Sequence, residues 1–341
     1  VVSAGQSATI AENLANSSAV LTVLATDGDA GTTFQNWTIT GGTGSTAFAI
    51  ASSTGAVTVL DNAQLNYETT TSFTLLVTVS DGVHTSAAQT VTINLTDVND
   101  VAPVVTAGQS ATIAENLSNG SAVLTVAATD GDVTTTTFQS WTITGGTGST
   151  AFAIASGTGA VTVLDSAQLN SETTTSFTLL VTVSDGVNAS AAQTVTINLS
   201  DVNDVTPVVT AGQSETIAEN LANGSAVLTV AATDGDVTAT TFQNWTITGG
   251  TGSTAFAIAS GTGAVTVLDS AQLNYETTTS FTLLVTVSDG VNTSAAQTVT
   301  INLSDVNDQT PVVTAGQSET IAENLANGSA VLTVAATDGD V

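Results

Sequence analysis

The chain of 341 residues contains no Lys, Arg, Cys or Met, and its single His is His84. Each absence closes off chemistry. With no side chain able to neutralise phosphates, the surface excludes nucleic acid and anionic lipid as partners. Zero Cys removes disulfides, thiolate metal sites and Cys nucleophiles, and leaves the redox compartment unfixed. One imidazole, with Asn188 and Asn292 at the corresponding later positions, cannot furnish a Ser-His-Asp centre or a zinc ligand set. The stretch Gly41-Gly42-Thr43-Gly44 lacks the Lys of a phosphate-binding loop. Paired carboxylates could suggest glycoside hydrolysis, yet three near-identical copies of one active site would be peculiar. No enzyme is read here. No apolar run approaches the roughly 18 residues of a membrane span, and no signal-peptide pattern opens the chain. Starting at Val1 without Met or leader, the sequence is expected to be a fragment of a longer protein.

Charged residues make up 9% of the chain, against roughly 25% in an ordinary soluble protein. All are acidic, and 29 Asp and Glu give a net charge of −29. Any charged partner must be a cation. The 42% of hydrophobic residues fall in short alternating runs, enough for a core in each domain-sized stretch, so disorder is not expected.

Self-similarity dominates. Pro103, Pro207 and Pro311 are 104 residues apart, as are Asp97, Asp201 and Asp305, each opening Asp-Val-Asn-Asp. The spacing predicts repeats over 1–103, 104–207 and 208–311, with 312–341 beginning a fourth. One residue fewer in the first repeat is placed between Asp29 and Phe34. Within that repeat, apolar alternation bounded by Gly, Asn and Asp predicts strands near 7–11, 19–26, 36–40, 47–50, 56–60, 72–80 and 87–96. Seven strands in about 104 residues is the arithmetic of an immunoglobulin-like Greek-key sandwich, so the class is all-β. Trp37, Trp141 and Trp245 recur on the third strand and are expected to fill the inter-sheet space, with Phe48, Phe73 and their copies.

Of the 29 acids, 24 recur at motif positions; Asp61, Asp165, Asp269, Glu215 and Glu319 stand outside. Solvated turn aspartates are the plain alternative, and they would not explain that concentration. Ala-Glu-Asn at 114–116, Ala-Thr-Asp-Gly-Asp at 128–132, Leu-Asn-Tyr-Glu at 65–68, Val-Ser-Asp-Gly at 183–186 and Asp-Val-Asn-Asp at 97–100 resemble the motifs of cadherin repeats, in order. Ala-Phe-Ala-Ile and Gly-Ala-Val-Thr-Val-Leu also look like the cadherin-like domains of large bacterial surface proteins.

The resemblance implies calcium at each junction between repeats. Glu12, Glu68, Asp97, Asn99 and Asp100 would join Asp130, Asp132 and Asp185 at the first junction. Glu115, Glu172, Asp201, Asn203 and Asp204 would join Asp234, Asp236 and Asp289 at the second, and Glu219, Glu276, Asp305, Asn307 and Asp308 would join Asp338 and Asp340 at the third. Asp27, Asp29 and Asp81 would face an upstream repeat. Ca²⁺ takes roughly 6–8 oxygen ligands, so the seven carboxylates of a complete junction fit about two or three ions. Without metal, such crowding should raise the carboxylates' pKa values. Two departures imply fewer or weaker ions than in the strongest cadherin junctions. Asn66, Asn170 and Asn274 stand where the family has Asp, and Val101, Val205 and Gln309 stand where it has Asn.

These readings converge on a calcium-rigidified extracellular repeat array, serving as shaft or spacer of a surface adhesin or filament. Homophilic contact or a cell-surface ligand is allowed by the resemblance. A fibre assembled through edge strands, which no Lys protects, and a carbohydrate-binding module are the alternatives. Sequons such as Asn94, Asn119, Asn188 and Asn244 permit glycosylation without indicating it.

Overall fold

Apolar residues alternate with Thr and Ser through Ser72–Ser80, so Phe73, Leu75, Val77 and Val79 are buried while Thr74, Leu76 and Thr78 face outward. That is the two-residue period of a strand buried on one face. The same logic builds the rest of a computed structural model that describes residues 1–29, 31–133, 137–237 and 241–340. The chain packs as two units, Val1–Leu169 with Thr174–Leu199, and Asn170–Thr173 with Ser200–Val341.

The first unit opens with β1 (Ser7–Ala11), β2 (Ala19–Thr22), β3 (Gln35–Gly41), β4 (Phe48–Ile50), β5 (Ala56–Val59), β6 (Ser72–Ser80) and β7 (Gln89–Thr96). All seven expected strands are present. They form a four-stranded sheet in the order β1-β7-β6-β3 and a three-stranded sheet β2-β5-β4. The strand expected over 19–26 stops at Thr22, where its pairing with β5 ends opposite Ala56 after a register shift between Ala19 and Leu21. Beyond it the Val23 N–H bonds Gly55 O at 2.9 Å. Trp37 lies in the core with Phe48, Phe73, Leu75 and Ile93, as packing predicts. Gly55, at φ +72°, lies under its indole, where an added Cβ would come within 3.0 Å of the ring. Ala30, in the loop assigned the length difference, lies outside the described residues.

One pairing decides where the acids go. β1 runs parallel to β7, with Ala11 opposite Thr96. The next residue of each strand, Glu12 and Asp97, is therefore delivered to the same end of the sandwich, and Asp-Val-Asn-Asp follows.

The first unit continues with β8 (Val104–Val105), β9 (Ser110–Ala114), β10 (Ala122–Thr125), β11 (Ala128–Thr129), β12 (Gln139–Gly145), β13 (Phe152–Ile154), β14 (Ala160–Val163), β15 (Ser176–Ser184) and β16 (Gln193–Ser200). The sheets β12-β15-β16-β9 and β10-β14-β13 repeat the first pattern. A short ladder, β8 with β11, pairs Val105 with Ala128 and carries Asp130 and Asp132 just past its end.

In the second unit, Ser214–Ala218, Gln297–Ser304, Ser280–Ser288 and Gln243–Gly249 form one sheet in that order, and Ala226–Thr229, Ala264–Val267 and Phe256–Ile258 form the other. Residues after Pro311 contribute the two-residue strands Val312–Val313 and Ala336–Thr337, paired antiparallel. Three single-turn 3-10 helices, Asn62–Gln64, Ser166–Gln168 and Ser270–Gln272, are capped by Asp61, Asp165 and Asp269, each accepting an N–H from two residues on. Three of the five off-motif acids are thereby explained as caps.

Candidate metal centre

Within the first unit, the acids assigned to the first junction converge. Glu12 is 2% exposed and Asp132 is 3% exposed. Glu12 accepts the Val98 N–H at 2.8 Å through Oε1 and the Tyr67 N–H through Oε2. Asp97 Oδ2 accepts from Val133 N at 2.8 Å. Asp132 takes the Val101 N–H on both oxygens, at 3.3 and 3.2 Å. Asp185 Oδ1 accepts Val187 N and Asn188 N, each at 2.7 Å. Asn188 Nδ2 donates to Asn99 Oδ1 at 3.5 Å.

Carboxylate oxygens of Glu12, Glu68 and Asp100 lie within 4.8 Å of one another, as do those of Glu68, Asp97 and Asp132, and those of Asp130, Asp132 and Asp185. Glu68 belongs to the first two groups and Asp132 to the last two, so the three are linked in series. Oxygens bound to one Ca²⁺ at 2.3–2.6 Å are at most about 5.2 Å apart, and each group meets that limit.

The donor set fits a hard divalent cation on a second ground. Both oxygens of Glu68, Asp130 Oδ2 and Asp185 Oδ2 are buried and accept no hydrogen bond of ordinary geometry among the described residues. Buried charge left unmatched is costly, and no Lys or Arg exists in the chain to pair with it. Burial, opposed by its own backbone N–H and reinforced by the Glu12 charge, raises the Glu68 pKa above its ordinary value. Burial and then Glu12, Asp132 and Asp97 raise Asp100. Burial also raises Asp130, against the hydrogen bond from Asp132 N. Asp81, assigned to an upstream junction, is instead lowered by the His84 and Val83 N–H groups.

The second unit repeats much of this. Asp236 accepts from Asp204 N and Val205 N, and Asp201 Oδ2 accepts from Val237 N at 2.9 Å. Asp234 Oδ2, Asp289 Oδ2 and Asn203 Oδ1 are buried without a donor among the described residues. Glu115 lies in the first unit, 3% exposed, just after β9. Near the third junction, oxygens of Glu219, Glu276 and Asp305 lie within 4.8 Å. Asp340 accepts from Gln309 N at 2.9 Å and Asp338 accepts from Asp340 N at 3.3 Å. Asn307 and Asp308 are exposed.

Four of the positions that depart from the family pattern act through local bonds and backbone, whereas Asn274 Oδ1 is buried with no hydrogen-bond partner among the described residues. Asn66 Oδ1 and Asn170 Oδ1 accept the N–H three residues on, at 2.9 Å, closing a turn. Val101 and Val205 give their N–H to Asp132 and Asp236, and Val205 O accepts from Asn292 Nδ2 at 3.4 Å. Sequence reasoning missed Ser171. It stands where the flanking repeats have Tyr67 and Tyr275, is 8% exposed, and sets its hydroxyl 3.0 Å from both Glu172 Oε1 and Asp201 Oδ1. The break in the Tyr pattern was the available signal.

The family model for the cadherin domain matches residues 6–96, 109–200 and 213–304. The chain is 34% identical over 344 residues to "Protocadherin Fat 4" of Mus musculus, covering 97% of this chain and 7% of that protein. It is 35% identical over 268 residues to "Protocadherin-like wing polarity protein stan" of Drosophila melanogaster, covering 75% and 7%. Among solved structures it is similar to "Protocadherin Gamma B2 extracellular cadherin domains 3-6", at 21% identity and TM-score 0.64, over 98% of this chain and 82% of that one. Mouse Cadherin-23 EC22-24 aligns at 24% identity and TM-score 0.59, over 88% and 96%. At these identities the structures speak to fold alone. The chain spans about 7% of the length of these two curated relatives.

Proposed function

The chain belongs to the cadherin family, and from that premise we propose that it is a non-enzymatic, calcium-stiffened segment of an extracellular adhesion protein, working as shaft or spacer. Repeats 1–103, 104–207 and 208–311, with the start of a fourth over 312–341, are the segments that calcium would join. The reading rests above all on the series of three oxygen groups linked through Glu68 and Asp132. Glu12, Glu68, Asp97 and Asp100 come from the first repeat, and Asp130, Asp132 and Asp185 from the second. An ion shared between the two sets makes separating them cost coordination energy.

In this reading Glu12, Glu68 and Asp100 hold one cation, Glu68, Asp97 and Asp132 a second, and Asp130, Asp132 and Asp185 a third. Bound calcium supplies the positive charge that the chain lacks. Asn99, Asn203 and Asn307 add neutral oxygens. Near-identity among the repeats favours a spacer over a specialised tip, and the Trp and most Phe residues are in the cores, which leaves little aromatic surface for a sugar. Contacts with copies of the same protein or with a cell-surface partner would lie along such a shaft.

The test is thermal unfolding in CaCl₂ and in EDTA. Each site held at 100 times its Kd adds about 2.7 kcal/mol to the folded state, so calcium should raise Tm clearly. Equal melts in the two buffers refute the reading.

A further inference from the structure

Seven Asp-Gly steps occur in the chain, at Asp27, Asp81, Asp130, Asp185, Asp234, Asp289 and Asp338, and every one lies at a carboxylate assigned above to a junction. Glycine leaves the following backbone nitrogen unshielded, which makes such a step open to attack by that nitrogen on the Asp side chain. The structure divides the steps into two kinds.

At Asp185 both reacting partners are engaged. Its Oδ1 accepts the Val187 and Asn188 N–H groups at 2.7 Å, and the Gly186 N–H is given to Ser184 Oγ at 3.0 Å. Asp289 repeats the pattern, with Gly290 N giving its hydrogen to Ser288 Oγ at 3.1 Å.

At Asp130 neither partner is held so firmly. Among the described residues Oδ1 is engaged by Asp132 N at 3.2 Å, while Oδ2 is buried with no donor. Unlike the Gly186 N–H, the Gly131 N–H is given to no hydroxyl among the described residues, and it bears on the Asp130 carboxylate itself. Gly131 is also exposed, so water reaches the peptide. Asp234 and Gly235 share the arrangement, with the Asp236 N contact at 3.3 Å.

We propose that Asp130 and Asp234 are sites of spontaneous isomerisation to isoaspartate, and that calcium held by their carboxylates suppresses it. The second half rests on the calcium reading above; the first does not. The Gly131 nitrogen lone pair attacks Cγ of Asp130, forming a C–N bond. One carboxyl oxygen leaves as water, taking the amide hydrogen and the proton of the acid form. Water then opens the succinimide at either carbonyl, restoring Asp or leaving isoaspartate, with no net gain or loss of atoms. Isoaspartate lengthens the backbone by one methylene and withdraws a carboxylate from its place beside Asp132 and Asp185. A cation at the junction would fix that carboxylate and keep its carbon from the nitrogen. Calcium then preserves its own site from covalent ageing.

The full chain is incubated warm at neutral pH in EDTA or in CaCl₂, with calorimetric calcium titration of fresh protein in parallel. Because there is no Lys or Arg to cut at, the digest uses a protease that cleaves before Asp and fails at isoaspartate. Labelling by isoaspartate methyltransferase confirms the product. In EDTA, isoaspartate should build up at Asp130 and Asp234 several-fold faster than at Asp185 and Asp289. Gly131→Ala should suppress it at Asp130 and leave Asp234 as before. Equal or faster reaction at Asp185 and Asp289 overturns the site assignment, in the unmodified chain alone and whatever the variant does. If calcium binds by calorimetry yet leaves the Asp130 and Asp234 rates unchanged, the protection is wrong. If calcium does not bind at all, the function proposed above fails and so does the protection, while the EDTA digest still decides the sites.

Discussion

A carboxylate in this chain finds no Lys or Arg anywhere to balance it, so its neighbours decide its state. Glu68, Asp100 and Asp130 are raised above their ordinary values of 4.5, 3.8 and 3.8. A carboxyl whose pKa is higher folded than unfolded favours the folded state when protonated. That contribution is present below the unfolded value and is lost as pH rises through the folded one. The metal-free protein should therefore show a rising Tm as pH falls from 7 towards about 4. In calcium the slope should reverse, because protons displace the ion. A metal-free Tm that falls steadily from neutral pH would contradict the crowding. Asp132→Ala removes a carboxylate common to two oxygen groups and strands the Val101 N–H. The stranded N–H costs the fold about 1–3 kcal/mol, and losing a charged ligand common to two oxygen groups should weaken calcium binding by roughly tenfold or more. Calorimetry should show this while the unfolding transition of each sandwich persists. At this scale the motif acids were legible because 24 of 29 recur in register. Ser171 showed only as a break in the pattern of Tyr67 and Tyr275, and its place between two carboxylates needs its burial to be seen.

At the level of strands, β6 and β7 were readable because one face is buried and alternation is strict. Two-residue ladders such as β8 with β11 are too short to show any period. The end of β2 is set by its partner, since pairing with β5 stops at Thr22 opposite Ala56 and that strand is distant in sequence. The parallel pairing of β1 with β7 was equally invisible, although it is what brings Glu12 beside Asp97. Trp141, 4% exposed and edge-on to Phe138 at 6.1 Å, holds the two sheets of its sandwich together. Trp141→Ala should cost about 3–5 kcal/mol in urea unfolding, with calcium affinity of the remaining folded protein preserved. A cost under about 1 kcal/mol would instead mark a surface residue. Gly146, at φ +99°, has the Thr178 carbonyl oxygen 2.2 Å from where a Cβ would sit, so Gly146→Ala should also destabilise the fold strongly, as a lowered urea midpoint.

For the whole molecule, composition, repeat length and motif order pointed to tandem cadherin-like sandwiches, and the family match bears this out. What composition alone leaves open is whether 29 negative charges are solvated decoration or ligands. Net charge of this size disfavours compaction through self-repulsion, and cations bound at the junctions would relieve it. On the proposed function, stiffness would follow the calcium concentration around the protein. The direct measurement is small-angle X-ray scattering of the full chain during a calcium titration from EDTA. A broad, flexible distance distribution should narrow and lengthen to a defined maximum as calcium binds. A scattering profile unchanged from EDTA to saturating calcium would contradict it.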